Sequence, residues 1–186
     1  MSAITRTSEL KPFRDYSEHD VINLYKFSGT LPADNGKVVS IQQGWTQSDE
    51  LDMIDSVGAS YDNTVSQRWG VDAAVRAANT GDLNPLGMLL YSVREEDENG
   101  EKLKFNPRKA AEMEVVLSGQ AVPVVTKGVF LYSGSTLEGQ TVTAGQKLYS
   151  DANGLLTTGN NGNPAVAQAL GSVDSTYKTC LIKLEL

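Results

Sequence analysis

The chain has 186 residues, 40% apolar and 21% charged, which suits one large domain or two small ones and excludes a disordered polymer. Its formal net charge of −7 argues against a nucleic-acid partner, because phosphate contacts draw on clustered Lys and Arg. A single cysteine, Cys180, excludes an intrachain disulfide, and no stretch approaches the roughly 20 apolar residues of a membrane span.

Residues 1–20 are polar and show no period of 2 or 3.6. They read as an extended N-terminal arm whose bulky members are Pro12, Phe13 and Tyr16. Two readings of the arm stay open: a frayed tail, or a segment that orders on a neighbouring subunit. The opening MSAITRTSELKPF has no apolar h-region, so no secretory signal is expected. The chain reads as made and used in a cytoplasm, or exported only inside an assembly.

Val21 to Phe27 alternates as a strand, and SGTLPADNG turns the chain into a β-branched strand at Lys37 to Ile41. Thr46 to Ile54 allows a short capped helix or a loop. Val71 to Ala78 is read as a strand because Gly70 and Asn79-Thr80-Gly81 bracket it tightly. Leu86 to Arg94 reads as a strand running outward into Glu95 to Glu98, with Asn99-Gly100 turning an acidic hairpin back through Lys102 to Phe105. Asn106-Pro107 opens a short helix, PRKAAEME. Val115 to Leu117 and Ala121 to Tyr132 are strands again. The tail, Val122 to Leu186, is a run of short strands joined by glycine turns. Cys180 sits in its last apolar run, TCLIKLEL, and reads as a buried thiol.

Two pairs of segments echo one another. FSGTLPADNGKVVSI (27–41) parallels YSGSTLEGQTVTA (132–144), and TGDLNPLGMLLYSV (80–93) parallels GNNGNPAVAQALGSV (159–173). The pairs keep the same order but not the same spacing, and the extra residues fall near 46–65. Duplication and the ordinary recurrence of turn residues in β proteins both remain open. The predicted organisation is an arm (1–20), a first β unit with an insertion (21–94), a connector hairpin and short helix (95–121) and a second β unit (122–186). The fold class is mainly β: two small β-barrel or β-sandwich units, with one short helix in the connector and an extended N-terminal arm.

The chemistry that the sequence permits is sparse. His19 is the single histidine and lies in the arm, far from Cys180, so no triad and no His/Cys metal site is expected. Gly134 and Gly139 lie in hairpin-like turns and open no helix, which removes a dinucleotide fingerprint. The consecutive acids Glu95 to Glu98 suit solvation on two faces of a strand. Calcium binding there would lack the EF-hand pattern. Trp45, Trp69 and the tyrosines could stack sugars, though core packing is the commoner use.

The cassette KGVFLYSG…AGQKLYSDANGLLTT…NPAVAQALGSVD…CLIKLEL resembles the small β-barrel module of tailed-bacteriophage head decoration, or capsid cement, proteins. The elements that carry the likeness are Gly145 to Tyr149, Gly154 to Thr157 and Ala165 to Gly171, and PLGMLLYSVREEDENGEKLKFNPRKAAEM resembles longer members. The resemblance implies a structural virion protein that binds the exterior of an assembled capsid and bridges neighbouring major capsid subunits. It implies a homo-oligomer, with a trimer as the best guess, no cofactor and no catalysis, no membrane and no nucleic acid, and assembly in the host cytoplasm. Contacts with the capsid or a neighbouring subunit are then expected at Pro12, Phe13, Arg14 and Tyr16 of the arm and at Glu96, Asp97 and Glu98 of the hairpin. Two other classes stay in view: a carbohydrate-binding module of a fibre or baseplate, needing Trp45 or Trp69 exposed, and a carboxylate-dependent glycan hydrolase, needing two buried acids facing each other.

Overall fold

The structure, a computed structural model, describes residues 6–44, 73–160 and 162–186. Strict alternation builds the first of its two six-stranded sheets. In β10 (Lys127–Gly134), Phe130 and Tyr132 point inward and are fully buried, while Val129 and Leu131 on the other face are half-buried. β10 is flanked by β1 (Ser8–Pro12) and β14 (Cys180–Glu185), and β13 (Ala167–Ala169), β11 (Lys147–Ser150) and β12 (Leu156–Thr157) complete the order β1-β10-β14-β13-β11-β12. Every pairing in it is antiparallel.

The second sheet runs β2 (Val21–Ile22), β9 (Val124–Val125), β6 (Pro85–Leu89), β4 (Val38–Gln43), β5 (Ala74–Ala77) and β3 (Lys26–Phe27). Its central strands are buried on both faces. Val38, Met88 and Val125 enter the core shared with the first sheet, and their neighbours Val39, Leu89 and Val124 enter a second core with Phe27, Val75, Val93 and Val122. Two-sided burial explains why VV, ML and VV read as unbroken apolar pairs rather than as alternation. Val38 joins the sheets directly: its N–H donates to the Gly154 carbonyl at 2.8 Å, and its carbonyl accepts from Ala78 N at 2.9 Å. Gly154 has φ +74, and a Cβ there would stand 2.7 Å from that same Val38 carbonyl.

Several expected strands are divided where the chain changes sheets. Ala121 to Tyr132 breaks at Thr126, whose N–H and hydroxyl both donate to the Asp20 carbonyl while β9 and β10 go to different sheets. Val21 to Phe27 becomes β2 and β3 at opposite ends of one sheet order, with β3 pairing in parallel with β5. Leu86 to Arg94 becomes β6 and β7 (Ser92–Val93), because β7 leaves to pair with β8 (Val115–Val116) in a two-stranded parallel ribbon. The expected strand at Val71 to Ala78 is present as β5. The expected helix is present as α1 (Pro107–Glu112), and its Ala110 packs with Leu103 and Leu117 in a small satellite core. The turn expected after Gly134 is instead a single helical turn, α2 (Ser135–Glu138), so Gly134 does open a helix. That helix is one turn long between antiparallel strands and is not the crossover of a dinucleotide fold. The helix or loop expected at Thr46 to Ile54 and the insertion near 46–65 lie outside the described residues.

The arm is partly structural. Residues 8–12 pair with Gly134 to Phe130 along the length of β1, and Leu10 is 2% exposed in the shared core. Leu10→Ala should therefore destabilise the chain by about 2–5 kcal/mol, as expected for a buried leucine. Urea unfolding would read this as a lower midpoint at an unchanged m-value. A loss under about 1 kcal/mol would show that β1 adds nothing to the core.

Candidate functional site

The turn Ala33 to Gly36 is a polar clamp on the arm. Asp34 accepts at one oxygen from Thr7 N (2.8 Å) and Thr7 Oγ1 (2.9 Å), and at the other from the Arg94 guanidinium (2.5 Å). Both charged side chains are buried. Asn35 Nδ2 donates to the Leu10 carbonyl at 3.1 Å, and Ser8 Oγ donates to the Asn35 carbonyl at 2.8 Å. Asn35 N donates to Ser92 Oγ, and Gly36 N to the Leu89 carbonyl at 2.7 Å. Gly36 has φ +83 and packs against Glu9, Leu10 and Tyr132, each of which would stand 3.3 Å from an added Cβ. The clamp thus packs against the outer edge of β1 and satisfies one of its backbone groups, the Leu10 carbonyl.

Beyond the clamp, the four arm residues expected at a contact surface separate into two groups. Pro12 closes β1 opposite Phe130, and Phe13, 52% exposed, donates its N–H to the Val129 carbonyl at 3.0 Å. Arg14 is also exposed. Tyr16 instead turns inward: its ring stands 6.0 Å from that of Phe130, tilted by 34°, and it packs on the shared core. Burial, with Tyr91 and Glu114 nearby, raises its phenol above the ordinary value. Tyr16 also lines a groove with Val21, Tyr91, Val116 and Pro123.

The acidic run is folded back and neutralised rather than projecting as a bare ribbon. Glu96 bridges to Lys102 in an isolated β-bridge, Leu103 N donates to the Glu95 carbonyl, and Gly100 (φ +81) makes the turn, so the hairpin is present. Glu96 pairs with Lys102 at 2.7 Å and Glu98 with Lys109 at 3.4 Å. Asp97 is buried, accepts from Asn99 N and Glu101 N at 2.8 Å each, and forms a close ion pair with Lys109 of α1. The Lys109 ammonium foremost, then the two backbone N–H groups, holds its carboxyl below the ordinary aspartate value, against the desolvation that opposes it. The hairpin and the clamp are joined in sequence, since Arg94 immediately precedes Glu95.

The acids buried among the described residues, Asp34 and Asp97, each face a base rather than another carboxylate. That arrangement is unlike the opposed acids of a glycan hydrolase. No cluster of three His, Cys, Asp or Glu suited to a metal occurs among the described residues. Trp45 and Trp69, which a sugar platform would need, lie outside the described residues. Cys180 is free and 1% exposed, as its apolar run predicts, and burial pushes its thiol up.

Sequence reasoning missed two features. The clamp reads in sequence only as turn chemistry, since nothing local announces that Asp34 reaches Arg94 sixty positions later. The outward lysines of the first sheet follow the alternation of KGVFL and CLIKLE, but that alternation alone does not say which strands lie side by side.

Residues 110–184 match the family model described as phage cement protein. The matched segment holds β8 to β13, α2, the second half of α1 and all but the last residue of β14. No curated protein matches the chain.

Removing one partner of a buried pair strands the other, so Asp34→Ala should cost about 3–5 kcal/mol and Asp34→Asn less, both read by urea unfolding. Equal stability of Asp34→Ala and the parent would show that the clamp does not hold the arm. Because the Asp97 carboxyl is depressed, its contribution is full above the ordinary value of about 4 and is lost as pH falls through the lower folded value. The Asn99 and Glu101 amide resonances should therefore shift on acidification with a midpoint below about pH 4, and Lys109→Met should raise that midpoint. A midpoint at or above the ordinary value would contradict the pairing.

Proposed function

We propose that this chain, whose residues 110–184 belong to the phage cement protein family, binds the outer surface of an assembled capsid and bridges neighbouring major capsid subunits. The observation that carries the reading is the family match over the segment that forms most of the first sheet. The pairing of each buried acid with a base supports a structural role over carboxylate chemistry. A protein that binds only the assembled shell stabilises it by mass action, and repetition over a lattice multiplies weak contacts.

On this reading the chain acts as a homo-oligomer, with a trimer as the proposed state, and the virion is its place. The two β units, 21–94 and 122–186, are the related halves of an internal duplication, with 95–121 as their connector. Pro12, Phe13 and Arg14 supply exposed arm contacts at the end of β1. Tyr16 contributes through the groove beside it, and Glu96 and Glu98 form the rim of the hairpin that Asp97 shapes.

Mixing the purified chain with expanded, DNA-free shells from the same virus tests the reading by co-sedimentation. The chain should pellet with the shells and raise their melting temperature, and Phe13→Ala with Arg14→Ala should weaken binding about tenfold or more, the scale of an interface hot spot. A folded chain that stays in the supernatant would overturn it.

A further inference from the structure

We infer that the outer face of the first sheet is a docking surface for an acidic, partly aliphatic protein segment. The second sheet's central strands are buried on both faces, whereas the first sheet gives one face to the shared core and leaves the other open. Register fixes what that open face carries. Lys147, Gln168, Lys183 and Val129 stand side by side across β11, β13, β14 and β10. In the next row Lys11 stands opposite Leu131, and Leu131 opposite Leu181. Leu170, 41% exposed, donates its N–H to the Leu181 carbonyl and extends this second row. Lys127 lies opposite Glu185.

The charge on this face runs against that of the chain. Among the residues of the paired strands it carries four lysines, Lys11, Lys127, Lys147 and Lys183, and two glutamates, Glu9 and Glu185, in a chain of net charge −7. Glu9 is already bound by Arg6 at 3.0 Å and Lys11 at 3.2 Å, and Glu185 by Lys183 at 2.6 Å. Lys147, Gln168, Lys183 and Glu185 also border a shallow groove along β13. A locally positive face on an acidic protein attracts and orients a negative partner.

The aliphatic residues choose the kind of partner. Val129, Leu131 and Leu181 are half-buried between the lysines, and Phe13 donates its N–H to the Val129 carbonyl at one end of that row. A nucleic-acid site needs a denser basic stripe. Aliphatics ringed by lysines suit a protein surface with an apolar centre and an acidic rim. Strand addition at the β1 edge is obstructed, since the turn at Asn35 and Gly36 packs against Glu9 and Leu10 and Asn35 binds the Leu10 carbonyl, so the partner lies across the face. The partner's identity as a capsid component rests on the function proposed above; the chemistry of the face does not.

Two experiments on the full chain test this. In the first, amide shifts are mapped on titration with poly-L-glutamate at low salt, and separately with duplex DNA of equal charge. Shifts concentrated at Val129, Lys147, Gln168 and Lys183, stronger for polyglutamate and abolished in Lys147→Gln/Lys183→Gln, are expected. Shifts centred instead on Lys104 and Arg108, exposed just before and on α1, shifts spread evenly, or tighter DNA binding at this face would each overturn the inference. In the second, Lys147→Glu/Lys183→Glu should lose at least tenfold in binding to expanded shells, while Lys104→Glu/Arg108→Glu binds as the parent does and both keep the parent melting temperature. Parent and variant binding the shells equally would overturn the inference alone. Failure of the parent to bind shells at all would overturn the capsid reading, while the polyglutamate map decides the face independently.

Discussion

The contact on which the architecture depends is the turn at Asp34 and Asn35, seated between the arm and the base of the acidic hairpin. Asp34 is held at one oxygen by Thr7 and at the other by Arg94, and Asn35 binds Leu10 on one side and Ser92 on the other. A buried carboxylate is tolerable only when paired and hydrogen-bonded. Here the pairing ties three distant pieces of chain together: the first strand of one sheet, the turn before β4 of the other, and the ribbon strand β7. Backbone bonds at Ala33 and Val93, donated in both directions, reinforce the same seam.

From that seam follows a division between the two sheets. The central strands of the second are sandwiched between two apolar clusters. The first is one-sided, and its inner residues Phe130, Tyr132, Ile182 and Leu184 form the larger cluster with Val38, Met88 and Val125. Tyr132 shows how closely the inner face is fitted: its hydroxyl is buried yet accepts from Leu156 N at 3.1 Å, and burial pushes its pKa far up. Rigid backing of this kind lets an outer face present side chains in fixed rows. The segment that matches the phage cement protein model, residues 110–184, supplies five of the six strands of that sheet.

Much of this was legible in the sequence where the signal is local. The β class, the Pro107 helix, the Asn99-Gly100 hairpin and the buried Cys180 each follow from residues within a few positions of one another. The resemblance drawn from Gly145 to Tyr149 and Gly154 to Thr157 agrees with the family match over residues 110–184. What was not legible depends on long-range pairing. Ala121 to Tyr132 looks like one strand because Val, Pro and Thr all suit extended backbone, and only the bond from Thr126 to Asp20 shows the change of sheet. Asp97 looked like one of four solvated acids, yet it is the buried one, because Lys109 arrives from a helix twelve residues on. The rows of lysines needed the register of five strands before they could be seen as a face.

The most direct measurement is an electron cryomicroscopy map of expanded shells decorated with the intact chain, at a resolution that places the strands. The outer face of the first sheet, with Lys147, Lys183 and Leu131, is expected to lie against the shell opposite an acidic segment of a capsid subunit. A map in which that face looks into solvent while another surface meets the shell would contradict it.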